Sequence, residues 1–165
     1  MHLRNRDSKV DLLDRQPLFK GLDRRSLNLV ARHADQVKVD AGTVIGKEGR
    51  LAREFLLVVA GSVRVEKDAA VIGRLGSGRF FGEIALIEGT PQTATVIAET
   101  LAVLLVVEAR SFSYLLTAVP ELQRRLLVNL CHRLREAEGA LHASAGQTAS
   151  WPLPGATRLP FPAQP

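Results

Sequence analysis

"GRFFGEIALIEGTPQTATV", residues 78–96, is the stretch on which the reading of this chain turns. "FFGE" ends a strand at a glycine, and "EIALIEG" supplies one or two turns of helix. Gly82 lets backbone and ligand approach closely, because it carries no Cβ. The N–H groups of Glu83, Ile84 and Ala85 then stand at a helix N-terminus, which is a ready site for an anion. Glu83 lies beside that site, and its carboxylate can accept a hydrogen bond from a sugar hydroxyl. "GTP" turns the chain into an expected strand "QTATV". The stretch is built like a phosphate pocket, yet neutral Gln92 stands where such a pocket would hold a fixed positive charge.

Upstream, "SKVDLLDRQPLFKGL" predicts helix with a break at Pro17, followed by a second helix in "DRRSLNLVARHAD". Asp23 is suited to cap it, and Leu27, Leu29, Val30 and Ala34 approximate its apolar face. From Val37 the period changes to alternation punctuated by Gly42, Gly46 and Gly49. "EFLLVVAGSVRVE" reads as two strands meeting at Ala60-Gly61, a hairpin signal. "VIGRLGSGRFFGE", "TATVIAET" and "LAVLLVVEA" continue the strand pattern. Short strands with glycine turns predict a mainly β fold, a jelly roll or double-stranded β-helix, flanked by N-terminal helices and a long C-terminal helix.

That last helix is read from "PELQRRLLVNLCHRLREAEGALHA", with Pro120 at its first position and Glu121 at the positive end of its dipole. Leu127, Leu130, Leu134, Ala137 and Leu141 repeat at helical spacing, with Leu122 and Leu126 as a second apolar row. One row can pack on the barrel and leave the other for a homodimer. The expected domain covers residues 1–142. Residues 143–165 are proline-rich and cannot bury a core, so they are expected to form a disordered tail carrying the one tryptophan, Trp151.

The chain has 165 residues and a formal charge of +5, too mild and too scattered for a nucleic-acid footprint. Cys131 is alone, so no disulfide framework exists. The charged N-terminus shows no apolar signal segment, and the apolar run 101–107 is too short to span a bilayer. A cytoplasmic location and no membrane association are expected. His2, His33, His132 and His142 fall outside the expected strands and form no metal-ligand pattern. Cys131 and His132 are helical neighbours whose side chains do not share a face. No catalytic constellation is visible, so no enzyme activity and no resident cofactor are expected.

The cassette resembles the phosphate-binding cassette of cyclic-nucleotide-binding domains, as in the regulatory subunits of cAMP-dependent protein kinase and catabolite-activator-type regulators. "LFKGLDRRSLNLVA", "AGTVIGKEG", "FLLVVAGSVRV", "FGEIAL" and "GTPQTATV" follow that family's order and spacing across roughly residues 12–142. The resemblance implies that Gly82, Ile84 and Ala85 give backbone contacts to a cyclic phosphate and that Glu83 accepts from the ribose 2′-OH. It implies that Thr93 sits near phosphate and base, where a hydroxyl is typical of cGMP-preferring members. Gln92 occupies the place of the family's phosphate-pairing arginine. Arg133 resembles a basic residue that some bacterial members place near the cassette glutamate, whereas Ala137 and Glu138 replace hydroxyl residues that some use for the base.

Arginine would give the phosphate a bidentate, charge-assisted pair. Losing one such contact costs about 1.5–3 kcal/mol, roughly 10- to 150-fold in affinity. Glutamine keeps an N–H donor, so the site is weakened rather than erased. The expected function is a stand-alone regulatory domain that senses cAMP or cGMP, weakly, and signals to a partner protein. The alternatives are a different ligand, or a ligand-free interaction and dimerisation module. Only the proline-rich segment follows residue 142, so no helix-turn-helix and no DNA binding are expected.

Overall fold

The structure, a computed structural model, describes residues 9–145; His2 and the segment from residue 146, with Trp151, lie outside the described residues. Residues 9–14 form helix α1. The chain then turns through Pro17 and through Gly21, at φ 76°, into α2 (Arg24–His33). Asp23 caps α2 as expected, accepting from the Ser26 N–H at 2.9 Å and the Ser26 hydroxyl at 2.6 Å. These hydrogen bonds to Ser26 hold the Asp23 carboxyl below its ordinary value.

Eight strands follow: β1 (Ala34–Val39), β2 (Val44–Gly46), β3 (Glu54–Ala60), β4 (Val63–Lys67), β5 (Ala70–Leu75), β6 (Phe80–Phe81), β7 (Thr95–Ala98) and β8 (Ala102–Glu108). Three helices complete the order: α3 (Glu83–Glu88) between β6 and β7, then α4 (Ala109–Ala118) and α5 (Pro120–Ala145) after β8. The strands make two antiparallel sheets, β1-β8-β3-β6 and β2-β7-β4-β5. This is the expected mainly β jelly roll with helices at both ends. Strand β1 begins at Ala34 rather than Val37, because Ala34 already pairs with Val107 of β8.

The hairpin expected at Ala60-Gly61 is not formed. Strands β3 and β4 lie in different sheets, and the chain crosses between sheets at this corner. The β7–β8 connection crosses back beside it. Ser62 binds the two corners together, its carbonyl accepting from Glu99 N–H at 2.9 Å and its N–H donating to Thr100 Oγ1 at 3.0 Å. Gly61, at φ 82°, lies so close to the second corner that a Cβ would stand 2.4 Å from the Leu101 carbonyl oxygen. The true hairpin is β4–β5, turning at Asp68 and Ala69.

Between the sheets lies one apolar cluster: Leu56, Val58, Phe81, Ala102 and Leu104 from the first sheet, Val63 and Val96 from the second. The alternate residues of β3 and β8 face the other way. Phe55, Leu57, Leu105 and Val107 are buried as well, and Phe55 stacks on Phe112 of α4 with ring centroids 4.9 Å apart. Burial on both faces explains why these strands read as continuous apolar runs rather than alternating ones. The first sheet is thus a floor between the sandwich core and the helices, and the cassette is built on its β6 edge.

The chain divides between Leu126 and Leu127 into two compact units. In the first, Leu122 and Leu126 of α5 line an apolar pocket with Leu18, Phe19, Phe112 and Leu115. In the second, the helix carries Leu127, Leu134 and Leu141 as exposed side chains. The helix runs to Ala145, past the boundary expected at residue 142.

Candidate functional site

The cassette begins where β6 pairs with β3, Leu56 opposite Phe81 and Leu57 opposite Phe80. Gly82 follows in the left-handed region, φ 88° and ψ −14°, as the N-cap of α3. A Cβ on Gly82 would lie 2.5 Å from the Glu54 carbonyl oxygen. The glycine is therefore demanded by the protein's own backbone, whatever ligand comes near. The first bond along the helix runs from Leu86 N–H to Gly82 C=O at 3.2 Å. The N–H groups of Ile84 and Ala85 precede it and have no acceptor within the helix. Gly89, at φ 67°, ends α3 with its N–H on Ala85 C=O, and Thr90 N–H bonds the same carbonyl at 3.1 Å.

The side chains of this turn separate sharply. Glu83 is buried, with 1% of its surface exposed, and it has a polar partner. Ala85 is buried beside it, while the Ile84 side chain is exposed. Gly82, Glu83, Ile84 and Ala85 thus form one contiguous turn, as expected. Such a turn offers backbone donors and one carboxylate, and the helix adds a partial positive charge but no formal one.

Gln92 and Thr93 sit outside the strand in which the sequence placed them. Strand β7 starts only at Thr95, and 92–94 are loop. The reason is a second anchor that the sequence reading missed. Gln92 N–H donates to Arg50 C=O and Gly49 N–H donates to Gln92 C=O, each at 2.8 Å; Leu51 and Pro91 form an antiparallel bridge next to them. The loop is held by the segment after β2 rather than by β4. The Gln92 side chain is half-buried and lies against Gly46, where a Cβ would stand 2.4 Å from its Oε1. Thr93 is exposed. Gly46 and Gly49 read as turn punctuation in sequence; their spacing signalled a turn but could not show what they pack against.

Arg133 lies on α5, in the second unit, half-buried and engaged with a neighbour. Among the described residues no group of three or more His, Cys, Asp and Glu could hold a metal ion. No described helix is long and apolar enough to cross a membrane.

Residues 36–118 match the family model of the cyclic nucleotide-binding domain. A cyclic nucleotide-gated potassium channel of Rhizobium etli is 38% identical over 106 residues, which cover 64% of this chain and 30% of the channel. The cAMP-dependent protein kinase regulatory subunit of Schizosaccharomyces pombe is 32% identical over 114 residues, 68% of this chain and 28% of that one. The catabolite activator protein of Thermus thermophilus superposes with a TM-score of 0.70 at 27% identity, over 79% of this chain and 63% of that one. The chain thus spans roughly a third or less of the two curated relatives, 30% and 28%.

Proposed function

The chain belongs to the cyclic nucleotide-binding domain family, and from that premise we propose that it is a regulatory domain sensing cAMP or cGMP at the Gly82–Thr93 cassette and acting by binding rather than catalysis. In this reading the Ile84 and Ala85 N–H groups hold the cyclic phosphate, and Glu83 accepts from the ribose 2′-OH. Gln92 brings no charge of its own to the phosphate, where an arginine would bring one. Thr93 lies near phosphate and base, a position from which its hydroxyl can favour guanine.

The observation that carries the reading is the state of the first turn. Its glycine cap, its leading N–H groups and its buried carboxylate are all in place on the β6 edge. Affinity is expected to be modest, because a hydrogen bond to a charged group contributes about 1.5–3 kcal/mol and neutral Gln92 forgoes that charge. Calorimetric titration of the chain with cAMP and with cGMP tests this. Saturable binding of either supports the assignment, and heat indistinguishable from dilution for both refutes it.

One observation favours a second reading, a ligand-free interaction module. Glu83 is already engaged and Gln92 already lies on Gly46, so the pocket's polar groups have uses without a ligand. In both readings the output passes to an effector protein, and the exposed Leu127, Leu134 and Leu141 row serves a homodimer, the commonest closed assembly.

A further inference from the structure

The charge missing at Gln92 has a neighbour of the right sign. Lys47-Glu48-Gly49-Arg50 forms a tight turn closed by Arg50 N–H on Lys47 C=O at 3.1 Å, with Gly49 at φ 76° in the third place. Gly49 and Arg50 together oppose the single residue Gln92: Gly49 N–H reaches Gln92 C=O, and Gln92 N–H reaches Arg50 C=O. This is a β-bulge that starts with a left-handed glycine, a device that re-aims a side chain beside functional sites. Gly49 contributes no side chain. Arg50 is therefore the side chain that the bulge sets across from Gln92.

Three further facts bear on Arg50. It is exposed. Among the described residues its guanidinium makes no ion pair. The adjacent Glu48 carboxylate accepts instead from the Asp68 N–H, at 3.2 Å. Meanwhile the Gln92 carboxamide is laid against Gly46, a position that a side chain at 46 would contest.

Resting on the cyclic-nucleotide reading above, we infer that Arg50 supplies the cation for the ligand phosphate from across the bulge, while Gln92 packs down on Gly46 beneath it. The site then keeps a formal positive charge, carried by the loop after β2 instead of by residue 92. Two consequences distinguish this from a merely weakened pocket. Binding depends on Arg50 and is screened by salt. An arginine at 92 gains less while Arg50 is present than after Arg50 is removed, because like charges directly opposite each other repel.

The test is calorimetry on the full chain with cAMP and cGMP, and with adenosine and guanosine as uncharged probes, at rising ionic strength. Arg50→Gln is expected to weaken the cyclic nucleotides roughly 10-fold or more, to flatten their salt dependence and to leave nucleoside binding and the melting temperature unchanged. Arg50→Lys retains part of the affinity, and Gln92→Arg in the Arg50→Gln background restores it. Unchanged binding by Arg50→Gln overturns the role of Arg50 and leaves the cyclic-nucleotide reading standing. Binding by the Arg50→Gln, Gln92→Arg double variant but not by the wild type also overturns the role of Arg50 alone. If neither protein binds, both the inference and the reading fail.

Discussion

Gly82 and Gly46 stand at the two ends of the cassette's support, and on paper they look alike. A Cβ on the first would meet an oxygen at 2.5 Å and on the second at 2.4 Å. The oxygens differ in kind. At Gly82 it is the Glu54 backbone carbonyl, part of strand β3, and φ is 88°. At Gly46 it is the end of the Gln92 side chain, and φ is not in the left-handed region. One glycine answers to the scaffold and the other to a neighbouring side chain. The beginning of the cassette is thereby fixed by the fold, while its far end is open to retuning by substitution.

The largest expected effect tests the scaffold end. Gly82→Ala should destabilise the domain by about 2–4 kcal/mol, combining left-handed strain with a clash against a carbonyl that cannot move. Chemical denaturation measures it; a loss below about 0.5 kcal/mol, the range of an ordinary surface substitution, would place Gly82 in the retunable class. Next comes the far end. Gln92→Arg should raise cyclic-nucleotide affinity, by up to about 1.5–3 kcal/mol when Arg50 is also changed to Gln. Thermal stability should stay unaltered. If the Gln92→Arg variant folds normally and binds neither cAMP nor cGMP, the retuning account is wrong.

Gly46→Ala sharpens the contrast between two clashes of equal length. The Gln92 side chain can rotate away, so the cost should stay near or below about 1 kcal/mol. Gln92→Ala in the same chain should abolish that cost; a cost that persists in the double variant would mean that Gly46 answers to the backbone after all. The smallest effect on stability is expected on the exposed row of α5. Leu134→Glu should change the unfolding free energy by less than about 0.5 kcal/mol and yet convert a dimer to a monomer in sedimentation. A wild-type chain that sediments as a monomer would remove the self-association proposal.

The parts of the fold legible in sequence were those governed by local rules. Asp23 announces a cap, Pro120 opens a helix, and the run at 101–107 announces a buried strand. Pairing was less legible. Ala60-Gly61 carries a hairpin's residues but joins strands in different sheets, because a glycine turn specifies a reversal and not the partner beyond it. Strand β7 likewise begins later than "QTATV" suggested, because Gln92 spends its backbone hydrogen bonds on Gly49 and Arg50. Those residues lie more than forty positions away in sequence, so no local pattern could announce the pairing.

The amino-acid sequence by itself determined the cassette: a glycine, a carboxylate and a short helix in the order that an anion site needs, with a neutral residue where a charge was expected. The glycine, the carboxylate and the helix are properties of neighbouring residues, and residue type with spacing suffices to express them; the charge expected at Gln92 is what the family resemblance implies. Only the tertiary structure decided why each glycine is there and what stands opposite Gln92. Both depend on contacts between strands distant in sequence, where a few tenths of an ångström and the difference between a carbonyl and a flexible side chain set the outcome.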